Sequence, residues 1–124
     1  MSSAPERPPY DLEERTFQFA KRVRAFAKLL TKTIANVEDI KQVVRSSGSV
    51  AANYIEANES LSKKDFLMRI KICRKEAKES RLWMRLVDTR DNAELETGRL
   101  ALVQESDELT RIFGKILRNS EEKL

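Results

Sequence analysis

Apolar residues recur along this chain at alternating spacings of four and three, the period of one face of an α-helix. Leu12, Thr16, Phe19, Val23, Phe26 and Leu30 make the first such face. Ile40, Val43, Val44, Ser47, Ala51, Tyr54 and Ile55 make the second. The third is the most regular: Phe66, Ile70, Cys73, Ala77, Ser80, Met84 and Val87. Leu102, Ser106, Leu109, Phe113 and Ile116 form the fourth. No segment alternates with a period of two for long enough to predict a strand. The spacings predict helices over about residues 11–34, 37–58, 62–89 and 96–119. Joined by short connections, they predict an all-α fold, an antiparallel up-down-up-down four-helix bundle over residues 11–119.

Local signals set the expected boundaries. Asp11, Asn36 and Ser62 read as N-caps, with Asp39 and Asp65 three residues after the last two. Residues 1–10, with Pro5, Pro8 and Pro9, read as a disordered arm, and residues 120–124 as a tail. Residues 46–52 are all small or β-branched, and Gly48 in mid-helix costs roughly 1 kcal/mol against Ala. A helix tolerates that where a neighbour comes close.

Composition narrows the function. With 124 residues the chain has the length of one domain, and its 3 Gly and 3 Pro suit long helices. It lacks a run of 18 apolar residues and a signal-peptide pattern, so no membrane association is expected. A single cysteine fits a reducing compartment, which predicts a cytoplasmic protein. There is no His, which removes the usual general base and the commonest metal ligand. Cys73 lies on a core face, and no Gly-rich phosphate loop is present. No enzyme site, metal or cofactor is therefore expected.

Charge is unevenly placed. Residues 62–90 carry ten cations against four anions, whereas residues 91–124 carry five against eight. On the third helix Lys71, Arg74, Lys78, Arg81 and Arg85 form a stripe roughly 20 Å long, and Lys64 prolongs it. The first helix adds Lys21, Arg24, Lys28 and Lys32. Such rows suit the phosphates of RNA or DNA, or an acidic partner. A solvated face, partly neutralised by Glu105, Asp107 and Glu108 of the fourth helix, is the alternative. No aromatic is interleaved with the cations, so binding by base stacking is not expected.

Two further groups stand out. Glu76 and Glu79 lie one turn apart, and the expected partner is Arg45 of the second helix, with Asn53 and Glu56 completing a polar layer that fixes helix register. Ile72, Trp83 and Leu86 form a second apolar flank on the third helix. That flank predicts self-association, against the alternative of one wide apolar face inside a single bundle.

The segment VRSSGSVAANYIEANESLSKKDFLMRIKICRKEAKESRLWMRL, from Val44 to Leu86, resembles the bacterial four-helix-bundle proteins known as intervening-sequence proteins. Those proteins are encoded in insertions within large-subunit ribosomal RNA genes and elsewhere. The likeness rests on Arg45-Ser46, on Ser49-Val50-Ala51-Ala52-Asn53 with Glu56, on Ser62-Lys63-Lys64-Asp65-Phe66, and on Glu76-Ala77-Lys78-Glu79 followed by Trp83. Tyr54 and Ala57 depart from the commoner pattern. The resemblance implies a bundle that assembles as a homo-oligomeric ring, typically a pentamer. It also implies kinship with the basic, pentameric accessory protein of diversity-generating retroelements, which binds a reverse transcriptase and nucleic acid. The expected role is a non-enzymatic accessory or scaffold that binds RNA or DNA, with a protein–protein adaptor as the alternative.

Overall fold

A computed structural model describes residues 11–121 of the chain. The expected disordered arm and all but the start of the tail lie outside them. Among the described residues there are four helices and no strands: α1 Leu12–Ala27, α2 Ile34–Asn58, α3 Lys63–Leu86 and α4 Ala93–Glu121. None is long and apolar enough to cross a membrane.

Caps account for the helix starts. The Asp11 carboxylate accepts from the Glu14 N–H, and the Ser62 hydroxyl accepts from the Asp65 N–H at 3.1 Å. The N-cap of α2 is Thr33, not Asn36 as expected, and its hydroxyl takes the Asn36 N–H. Helix α1 ends some seven residues before its expected limit. Leu29 and Leu30 tighten onto the Phe26 and Ala27 carbonyls, and Leu30 turns into the core. The Lys32 ammonium donates to the Ala27 and Leu30 carbonyls, closing the turn without a Gly or Pro to mark it. Helix α4 starts three residues early because the Asn92 side chain accepts from the Leu95 N–H.

The four helices pack in sequence order. Helix α2 packs beside α1 and α3, α4 beside α3 and α1, and α1 and α3 occupy opposite corners. Named contacts fix the directions. Asn36 near the start of α2 binds Asp88 just after α3, whereas Asn53 late in α2 meets Arg69 early in α3. Arg99 early in α4 donates to the Arg85 carbonyl at the end of α3. Asn58 at the end of α2 bonds Glu13 at the start of α1. Neighbours therefore run antiparallel.

Phe19, Val23, Ile70, Leu109 and Phe113 are fully enclosed at the centre. Each such side chain contributes about 1.5–3 kcal/mol. The expected core faces of α1 and α3 lie inward, with Phe66 at the margin. Helix α2 is rotated from expectation: Val43, Ser46, Ser47, Val50 and Ala57 are buried, while Ile55 is half exposed. Both of its flanks are apolar, so spacing alone does not choose between them. On α4, Leu117 replaces Ile116 in the deepest layer. Small residues let α2 and α3 approach closely, and the Ser46 and Ser80 hydroxyls share a buried 2.7 Å hydrogen bond. Tyr54 packs against Phe113, and Ala57 is enclosed.

Candidate nucleic-acid interface

The outward side of α3 is set by its buried seam. With Ile70, Cys73, Ala77 and Ser80 inward, Lys64, Lys71, Lys75, Lys78 and Arg85 are all exposed. They succeed one another at spacings of three, four or seven residues, on one line along the helix. Three shallow, open depressions follow that line, around Lys64, Lys71 and Lys75, and the last continues to Arg85.

Lys64, Lys71, Arg74, Lys78 and Arg85 have no ion-pair partner among the described residues. Two of the three acidic side chains expected to neutralise the stripe point elsewhere. Arg15 of α1 grips Glu105 through two hydrogen bonds of 2.8 Å and Glu108 through one of 2.9 Å. Glu105 above all drives the Arg15 pKa further up. Gln104 and then Arg15 hold the Glu108 carboxyl below its usual range. Asp107 alone of the three faces α3, and it holds Arg111 at 2.7 Å and Arg81 at 3.9 Å.

Not all the expected cations share this line. Arg81 is half-buried at the α4 border, engaged with Asp107. Lys75, which the stripe read from the sequence passes over, lies in the middle of the exposed line. An alternating four-three count started at Lys64 reaches it. On α1, Lys21 sits 5.8 Å from the Phe17 ring and Lys28 is exposed. Arg24 lies over α2, donating to the Ala20 carbonyl and, at 3.3 Å, to that of Val44. It crosses at Gly48, where a Cβ would stand 3.1 Å from its guanidinium. Because α1 and α3 occupy opposite corners, their cations do not converge on one stretch of ligand.

The expected polar layer divides in two. Arg45 reaches Glu76 at 3.2 Å and Glu79 at 3.5 Å. Asn53 and Glu56 instead meet Arg69, at 3.0 and 4.0 Å. Arg69 lies one helical turn before Cys73 and competes for the same α2 face. Of the expected interface residues, Ile72 is half-buried and Trp83 packs against its own bundle's core. Leu86 is exposed, as is Leu82, which the sequence reading did not include.

Cys73 is enclosed, its thiol donating toward the Val50 carbonyl at 3.6 Å, and burial pushes its pKa up to about 12. Such a thiol is a poor nucleophile. No group of three or more His, Cys, Asp or Glu among the described residues is placed to hold a metal ion.

Residues 10–115 match the family model described as 23S rRNA-intervening sequence protein. The chain belongs to that family. A solved structure, a protein of unknown function from the S23 ribosomal protein family of Bacteroides thetaiotaomicron, is similar at 26% identity and a TM-score of 0.73. The likeness covers 86% of this chain and 97% of that one. No curated protein matches. The family match thus spans α1, α2, α3 and most of α4, and the solved relative supplies a fold without an activity.

Proposed function

We propose that this protein is a non-enzymatic, homo-oligomeric helical module that binds RNA or DNA through the basic outer face of α3. One observation carries the reading: Glu105 and Glu108 are held by Arg15, which leaves Lys71, Arg74, Lys78 and Arg85 unneutralised. Family membership, in a family described by its association with ribosomal RNA intervening sequences, supports it. Unpaired cations on a rigid rod bind phosphates by releasing counterions, whatever the base sequence. The protein acts as an accessory or scaffold in the cytoplasm.

The assembly is a ring of identical chains, a pentamer, as the family resemblance implies. Exposed Leu82 and Leu86 supply apolar surface for contacts between copies. A ring repeats the α3 face and adds avidity. Light scattering of the purified protein measures the copy number. Fluorescence anisotropy with a structured RNA at low and moderate salt tests the binding. Saturable, salt-sensitive binding is expected, and a folded oligomer that leaves the RNA free at low salt overturns the reading. The same exposed leucines favour the competing reading, a protein adaptor. A stoichiometric protein partner in a sample whose 260/280 nm absorbance ratio excludes nucleic acid supports that alternative.

A further inference from the structure

The cations of the α3 face are grouped. Lys63 and Lys64 stand at its start, Lys71, Arg74, Lys75 and Lys78 in its middle, and Arg85 at its end. Half-exposed Met68 and Leu82 separate the groups. At about 1.5 Å per residue, the groups follow one another at intervals of roughly 16 Å, over a total of roughly 33 Å. A line drawn along a nucleic-acid duplex, parallel to its axis, meets the two strands alternately. With about 34 Å per turn, those crossings recur on average about every 17 Å. The spacing of the cation groups matches that interval.

Two other features point the same way. Single strands are held by aromatic platforms on which bases stack. Among the described residues Phe17 is the one large aromatic that is mainly exposed, and it lies on α1, the corner opposite α3. Trp83 and Phe66 of α3 are packed against the core instead. A duplex also carries one charge per roughly 1.7 Å of axis, so it offers a straight row of lysines a dense line of phosphates without distortion.

From this we infer that the ligand of α3 is a double-stranded nucleic acid, held along its axis by the phosphates of both strands and not by its bases. The inference rests on the proposed nucleic-acid function and specifies its substrate class. The middle group makes the largest contribution, and the two end groups fix the alignment.

The test compares two labelled probes by fluorescence anisotropy at low salt. One is a duplex of about twenty base pairs, long enough to exceed the roughly 33 Å face, and the other an unstructured single strand of the same length. The duplex is expected to bind at least about tenfold more tightly. Raising salt from about 50 to about 200 mM should weaken it about a hundredfold, as for neutralisation of about four phosphates. The triple variant Lys71→Glu, Lys75→Glu, Lys78→Glu, with wild-type helix content by circular dichroism, should lose the duplex. The control Lys21→Glu, Lys28→Glu on α1 should keep it. Equal or tighter binding of the single strand overturns the inference and leaves the proposed function intact. A triple variant that retains the duplex overturns both, because both place the ligand on α3. Failure of both probes to bind the folded oligomer overturns the proposed function as well.

Discussion

The side chain of Asn36 holds both polar groups of the Asp88 backbone, donating to its carbonyl at 2.9 Å and accepting from its N–H at 2.8 Å. A third bond, to the Thr31 carbonyl, ties in the turn before α2. One fully buried amide thus clamps two loops at one end of the bundle. Asn36→Ala strands these groups, and a loss of about 2–3 kcal/mol is expected. Urea denaturation checks it. A loss below about 0.5 kcal/mol would show that water replaces the clamp.

Two glycines should respond to alanine in opposite directions. At Gly48 the new Cβ meets only the end of the flexible Arg24 side chain, so Gly48→Ala is expected to stabilise α2 by up to about 1 kcal/mol. At Gly98 it would stand 3.2 Å from the Phe26 ring, which is buried and has nowhere to go. Gly98→Ala is expected to destabilise by about 1–2 kcal/mol. Thermal melts of the two variants give the comparison.

The turn from α3 to α4 holds Arg90 and Asp91 at φ of 55° and 60°, closed by the Asn92 N–H on the Thr89 carbonyl. Two successive left-handed residues favour glycine or asparagine. Arg90→Gly is expected to stabilise the protein by about 1 kcal/mol, read as a higher urea midpoint at unchanged slope.

Within the Arg45 group, the two carboxylates should differ. Glu76 is nearly enclosed, whereas Glu79 is 40% exposed. Glu79→Ala is expected to cost at most about 1 kcal/mol, because water takes over from the exposed pair. Glu76→Ala should cost more, about 1–3 kcal/mol, because it empties a nearly enclosed site, even though Arg45 keeps Glu79. Equal losses in denaturant titrations would contradict the difference in burial.

Glu96 gives the acid behaviour a measurable centre. Its carboxylate is held by Arg99 and by the Thr89 hydroxyl, which lower its pKa from 4.5 to about 2. A depressed carboxyl stabilises the fold fully above its unfolded pKa and loses that effect as pH falls through the folded one. The stability gap between wild type and Glu96→Gln should therefore be constant near neutrality and close between about pH 4.5 and 2. A gap unchanged at pH 2 would remove Glu96 from the acid response.

The chain's own pattern determines the class of fold. The four-three seams of α1 and α3 face away from rows of charge, and burying each seam sets the rotation of its helix. Asp11 and Ser62 cap because each side-chain oxygen stands within one turn of the N–H group it accepts, that of Glu14 or Asp65. Exposure of the α3 cations follows too, since a helix with a fixed inward face has a fixed outward one. Tertiary structure decided what pattern leaves degenerate. Helix α2 has apolar residues on both flanks, and its rotation was settled by contact with α3, where Ser46 meets Ser80. The end of α1 was settled by Leu30 and Lys32, and the cap of α2 passed to Thr33 once Asp88 claimed Asn36. Charge pairing was the least legible, because partners come from other helices: Arg15 took Glu105 and Glu108 from a chain distance of some ninety residues. That choice left α3 basic, and no spacing within α3 or α4 records it.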